Sequence, residues 1–260
     1  MGIRRSVLPG LLAALWWAAS GPQLEAGAFQ VVPVYVYLEA GNPRATLTVS
    51  NTGEEELTVQ LQAMRWSQDE QGRDRLEPTT DLVFFPRLVK IGVGQERIVR
   101  LGLDKPQPAE TETAYRLFIR ELPVAKPGET VLRVAIEISL PVFLSVPKPR
   151  PQAAISGAQL RQGSALLQVL NTGNTHLLLK KIRVIGRGQD DREEFVQEAM
   201  GWYVLPGIER SFAVALPQDS CQRCRSLLVS IESEEGSLER TIEVDPAQCI
   251  PPPTESRTRP

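Results

Sequence analysis

Apolar and polar positions alternate along most of this chain, in short runs that end at Gly, Pro, Asn or Asp. A period of two marks half-buried strands, and turn residues at the breaks mark their ends. In the first half the pattern predicts strands over 31–38 (around Pro33), 45–51, 56–66, 81–91, 96–103, 114–121 and 131–144, with a polar turn from Gln68 to Arg75. Strands of this length and spacing predict a seven-stranded β-sandwich. The helical period is nearly absent, and Asp191 to Ala199 is the one stretch that reads as a turn of helix.

The second half repeats the first. Ala45-Thr46-Leu47-Thr48-Val49-Ser50 runs into Asn51-Thr52-Gly53 and out through Leu57 to Leu61; Ala165-Leu166-Leu167-Gln168-Val169-Leu170 runs into Asn171-Thr172-Gly173-Asn174 and out through His176 to Leu179. Gly94-Gln95-Glu96-Arg97 is likewise echoed by Gly207-Ile208-Glu209-Arg210. The glycine of each Asn-Thr-Gly is expected to supply positive φ. Two echoes in the same order predict two tandem copies of one all-β sandwich unit.

Between the copies, Pro147-Lys148-Pro149-Arg150-Pro151 cannot continue a ladder and stiffens the chain. The expected organisation is a first domain over 29–146, a proline-rich linker over 147–152, a second domain over 153–250 and a disordered tail over 251–260. Residues 1–28 read as a secretory signal peptide: Arg4-Arg5, an apolar run from Val7 to Ala19, then Ala26-Gly27-Ala28 before Phe29. No later segment resembles a membrane span, so the mature protein is expected to be soluble and exported.

Export permits disulfides. The cysteines are Cys221, Cys224 and Cys249. A redox Cys-x-x-Cys wants a helix N-terminus, but a strand-like run follows Cys224; zinc wants four ligands, and the single histidine is far away in sequence. If Glu235-Gly236 closes the last hairpin, Cys249 falls nearly opposite Cys221. A structural disulfide from Cys249 to Cys221, with Cys224 the less favoured partner, is therefore expected, and no metal.

Charge is near balance, with 29 basic and 31 acidic residues. That lacks the basic excess of a nucleic-acid binder, and Lys180, Lys181 and Arg183 have no interleaved aromatic residues. Catalysis is poorly supplied: there is no nucleophile elbow, P-loop or dinucleotide fingerprint. The carboxylates cluster in turns, and His176 reads as a surface or edge residue of a strand. Neither an enzyme nor a cofactor is expected.

What remains is the run from Val131 to Leu140. Leu132, Val134, Ile136 and Ile138 share one face; Arg133, Ala135, Glu137 and Ser139 share the other. Such a strand is either half-buried core or a donor strand that lends its apolar row to a partner, and periodicity alone leaves both open.

The order of several motifs resembles the periplasmic pilus-assembly chaperones of chaperone–usher systems. They are Leu38-Glu39-Ala40-Gly41-Asn42 before Ala45 to Asn51, Ala114-Tyr115-Arg116-Leu117-Phe118-Ile119-Arg120-Glu121-Leu122-Pro123, Leu140-Pro141-Val142-Phe143, Asn171 to Asn174, and Tyr203-Val204-Leu205-Pro206-Gly207. The resemblance implies two immunoglobulin-like domains at an angle, a cleft between them, and a first-domain strand that completes a pilin-like subunit. Leu132, Val134, Ile136 and Ile138 are then the subunit-binding residues. It also implies a basic anchor for the subunit's terminal carboxylate, but Tyr35 and Pro141 stand at the usual arginine and lysine positions. Arg116, Arg120, Lys180 and Lys181 are the candidate replacements. Glu121 matches a glutamate used in the family's interdomain ion pair, whose arginine partner aligns near Ser145.

The function expected on this resemblance is an ATP-independent periplasmic chaperone that complements pilin-like subunits and delivers them to an outer-membrane usher. The alternative is an exported structural or adhesive tandem immunoglobulin-like protein without chaperone activity. An enzyme on this scaffold would require His176 to line a polar pocket.

Overall fold

The computed structural model describes residues 29–39, 41–104, 110–123 and 134–251. The expected signal peptide, Leu132 and all of the tail beyond Pro251 lie outside these residues.

The first domain contains β1 (Phe29–Val32), β2 (Val36–Glu39), β3 (Arg44–Asn51), β4 (Leu57–Gln68), β5 (Asp74–Pro78), β6 (Leu82–Phe85), β7 (Leu88–Ile91), β8 (Glu96–Leu103), β9 (Thr113–Glu121) and β10 (Glu137–Ser145). One sheet has the order β1-β3-β8-β6; the other runs β2-β10-β9-β4-β5, with β7 also on β4. Two predicted strands are each split by a proline that changes sheets. Pro33 separates β1, paired with β3, from β2, paired with β10. Pro86 separates β6, paired with β8, from β7, paired with β4. Proline offers no N–H to a ladder, so the chain leaves one sheet there and joins the other. Leu47, Val59, Leu117, Ile119 and Val142 fill the space between the sheets.

The second domain contains β11 (Ala153–Arg161), β12 (Ser164–Asn171), β13 (Leu177–Arg187), β14 (Glu193–Met200), β15 (Tyr203–Val204), β16 (Glu209–Ala215), β17 (Ser226–Ser233) and β18 (Gly236–Glu243). Its sheets run β11-β12-β16 and β14-β13-β17-β18, with β15 on β13. The molecule is thus all-β, two tandem immunoglobulin-like sandwiches. The helical turn expected over 191–199 is instead β14, antiparallel to β13 from Lys181↔Met200 to Arg187↔Glu193. Tertiary pairing overrides a weak local period.

The paired asparagine turns make the same hydrogen bonds. Asn51 Nδ2 donates to the carbonyls of Glu55 and Ile91, and Asn171 Nδ2 to those of Thr175 and Val204; in each, the glycine N–H two residues on donates to the asparagine Oδ1 at 2.9 Å. Positive φ falls not on Gly53 or Gly173 but on Gly94 (67°) and Gly207 (76°), whose N–H groups donate back to the Asn51 and Asn171 carbonyls. Gly173 is needed for another reason: a Cβ there would collide with the Arg150 carbonyl.

Candidate functional site

Two surfaces of the first domain meet where the second domain is docked. Along β10 every residue from Glu137 to Leu144 pairs with β9, but β2 covers only Val142–Ser145. Among the described residues no strand covers Glu137–Pro141 on the side away from β9. Successive side chains take opposite faces. Ile138, Leu140, Val142 and Leu144 point inward, whereas Pro141 and Phe143 alternate onto the outer face, where Phe143 packs with Leu205 of the second domain.

Arg116 lies on that same outer face. It is the cross-strand partner of Pro141 on one side and of Met64 on the other. Its guanidinium sits 3.8 Å from the Trp66 ring, 5.5 Å from Trp202 and 5.4 Å from Tyr203. The residue is only 7% exposed, yet no hydrogen bond or ion pair to its side chain is found among the described residues, and Nη2 is buried without a partner. Burial lowers its basicity, with the Tyr203 and Asp74 charges opposing that effect. It remains a cation under any ordinary condition.

The other candidates for the anchor are already occupied. Arg120 bonds Glu137 at 2.6 Å, Lys180 lies 3.7 Å from Glu234, and Lys181 lies 3.3 Å from Glu198. These are exposed pairs of small worth. Tyr35 is half exposed and makes an edge contact with Tyr37. Of the four candidates Arg116 alone has no acidic partner among the described residues, and it stands directly across the ladder from Pro141.

Of the proposed donor row, Val134 is 54% exposed, while Ile136 and Ile138 are partly buried against the first domain's own core. Residues 134–136 lie outside regular strand; Ile136 still bonds Glu121, its carbonyl accepting from the Glu121 N–H and its N–H donating to Glu121 Oε2. The Glu121 carboxylate is thus engaged within the first domain.

The domain junction joins motif residues such as Phe143, Tyr203 and Leu205 to polar residues to which the pattern gave no such role. Gln68 Oε1 accepts from the Leu205 N–H, and its Nε2 donates to the Tyr203 carbonyl and to Asp74. Asp74 accepts from Trp202 Nε1 at 2.8 Å and from Arg210. His176, expected at a surface or edge, is instead buried in the junction: Nδ1 is 2.7 Å from Glu112 Oε1, and the ring stacks on Phe143 at 3.7 Å. It also lines a hollow of about 360 Å³ with Tyr37, Ser145 and Glu234. Nε2 lies 3.5 Å from the Tyr37 hydroxyl. Burial, then Glu234 and Glu112, push that phenol up to about 12, so it stays protonated. A protonated phenol suits a hydrogen-bond donor, not a nucleophile.

Residues 28–150 match the family described as pili and flagellar-assembly chaperone, PapD N-terminal domain. The first domain belongs to these assembly chaperones. No curated protein matches the chain in sequence. Among solved structures, the complex of CsuC with the tip adhesion subunit CsuE of Acinetobacter baumannii aligns at 21% identity and TM-score 0.54, covering 83% of this chain and 98% of that one. The CupB2 chaperone of Pseudomonas aeruginosa aligns at 16% identity and TM-score 0.51, covering 83% and 100%. The SafB chaperone complex of Salmonella enterica aligns at 16% and 0.51, covering 84% and 97%. At these identities the likeness is one of fold, and it spans both domains.

Beyond the chaperone domain, the second domain carries the disulfide Cys221–Cys249. Cys221 ends a short helix before β17 and Cys249 lies in a 3-10 turn after β18, so the hairpin brings them together. Cys224 is free and buried. No cluster of three or more metal-ligating side chains occurs among the described residues, and no helix there is long and apolar enough to cross a membrane.

Proposed function

We propose that this protein is an ATP-independent periplasmic chaperone for pilin-like subunits. The exported chain would start near Phe29, with domains over 29–146 and 153–250. The observation that carries the reading is the pairing of β10: hydrogen-bonded to β9 from Glu137 to Leu144, it leaves Glu137–Pro141 without a strand on its other edge among the described residues, opposite a buried guanidinium that meets no anion among them. An incoming strand gains main-chain hydrogen bonds along such an edge. Val134, with Leu132, Ile136 and Ile138 in the same alternation, supplies the apolar row for the partner's groove. Arg116 receives the strand's terminal carboxylate, a charge-assisted contact that also sets register. Covering the subunit's groove prevents edge-to-edge aggregation until an outer-membrane usher accepts it.

The test is direct binding of a synthetic peptide of about a dozen alternating apolar and polar residues, ending in a free carboxylate. The unsubstituted protein should bind it, and Arg116→Met should weaken binding about tenfold or more. No binding by the unsubstituted protein would overturn the chaperone reading in favour of a structural or adhesive role. Equal binding by Arg116→Met would overturn the anchor.

A further inference from the structure

Glu112 and His176 join the two domains at the start of the strand that carries Arg116. Their side chains are 3% and 7% exposed, respectively, and 2.7 Å apart. The Glu112 Oε1 that meets His176 Nδ1 also accepts the His176 backbone N–H at 3.0 Å. The surrounding backbone repeats the grip: the Glu112 N–H donates to the Asn174 carbonyl, and Asn174 Nδ2 to the Glu110 carbonyl, each at 2.9 Å. This places the second Asn-Thr-Gly turn of the chain, with His176 just past it, against the entrance to β9.

Both strands that flank the open edge are touched. Glu112 leads straight into β9, where Arg116 stands four residues on. The His176 ring lies 3.7 Å from that of Phe143 and within 7° of parallel. Phe143 is two residues from Pro141, the cross-strand partner of Arg116. A buried carboxylate needs its donors, because losing one leaves an unsatisfied acceptor in low dielectric. Neither strand can therefore shift against the second domain without breaking this contact.

We infer that Glu112 and His176 are a positioning pair for Arg116: they lock the second domain onto β9 and β10 so that Trp202 and Tyr203 close over the guanidinium. The pair takes the role that the resemblance would give to Glu121, which is engaged instead with Ile136. The inference rests on Arg116 being the carboxylate anchor.

The experiment compares His176→Ala, His176→Asn, Arg116→Met and the double variant Arg116→Met with His176→Ala, in the full exported chain. Domain orientation is read from residual dipolar couplings, and affinity from the same carboxylate-ended peptide. His176→Ala should change the domain orientation and lower affinity about tenfold. His176→Asn, whose amide can donate from near the Nδ1 position, should recover most of both. In the Arg116→Met background, His176→Ala should cost less than about twofold more, since the pair acts through the arginine. An undiminished tenfold loss in that background would overturn the inference, as would unchanged orientation and affinity in His176→Ala. Should His176→Ala fail to fold, Glu112→Ala, which removes the shared acceptor, carries the same comparison. Failure of the anchor itself is read separately, from Arg116→Met alone.

Discussion

The Arg116 guanidinium lies 3.8 Å from the centre of the Trp66 ring, on the cleft face of the first domain. The two residues are diagonal neighbours: Arg116 pairs with Met64, and Trp66 with Ala114. The only buried side-chain polar atoms without partners among the described residues are Trp66 Nε1 and Arg116 Nη2. Cation–π attraction offsets part of the cost of burying the arginine. It provides no acceptor for either N–H. A site with two unsatisfied donors and a positive charge favours a carboxylate.

Arg116→Lys should behave almost as badly as Arg116→Met. An ammonium keeps the charge but loses both the planar stack on Trp66 and the fork that meets a carboxylate. Amidating the peptide's terminus should weaken binding to the unsubstituted protein about as much as Arg116→Met does, and should change nothing further in that variant. Titration calorimetry with both peptides checks this; an amidation penalty that persists in Arg116→Met would place the anchor elsewhere.

Val134 and Ile138 should separate binding from folding. Val134 is half exposed, so Val134→Glu should leave stability within about 0.5 kcal/mol of the unsubstituted protein while abolishing peptide binding. Ile138 packs against the domain's own core, and Ile138→Glu should lower the melting temperature, because a carboxylate there loses its hydration without a partner. Thermal melts beside binding curves decide it. A Val134→Glu variant that binds normally would remove that residue from the donor row.

What the sequence made legible was what repeats or alternates. The twin Asn51 and Asn171 turns, the β17–β18 hairpin and the Cys221–Cys249 pairing follow from spacing and turn chemistry that act locally. Pro33 was visible as an interruption, whereas 81–91 read as one strand and the break at Pro86 was missed; the exchange of sheets at each depends on which neighbour is nearest in space. The junction was hidden for the same reason. Gln68, Asp74 and Glu112 carry ordinary polar side chains whose partners are 64 to 137 residues away. His176 looked like an edge residue because Phe143 and Glu112, which bury it, belong to the other domain. A useful signal was the mismatch between the copies: Asn174 and His176 stand where the first turn has Glu54 and Glu56.

Asp74 should control how the second domain seats. It is the shared acceptor for Gln68, Trp202 and Arg210. Outside the first 28 residues the only tryptophans are Trp66 and Trp202, and both touch Arg116. Tryptophan fluorescence of the chain from Phe29 onward therefore reports on this junction alone. Asp74→Ala should shift the emission to the red as Trp202 loses its partner and gains water. It should also cost about 1–3 kcal/mol of interdomain stability. An unshifted spectrum would mean that the rings are held without Asp74.

The three cysteines should react unequally. Peptide mapping without reductant should recover Cys221 joined to Cys249. Cys224 is buried, its Sγ donates to the Ser220 carbonyl, and burial, then Glu194, raises its thiol above the ordinary range. Only the thiolate is nucleophilic, so alkylation of native protein at pH 8 should be slow and should accelerate sharply on unfolding in denaturant. Cys224→Ala should leave the Cys221–Cys249 bridge and the melting temperature nearly unchanged. The pairing would still form, because β17 and β18 bring Cys221 and Cys249 together without help from Cys224. A native protein that labels rapidly at Cys224, or a map that joins Cys221 to Cys224, would contradict this assignment.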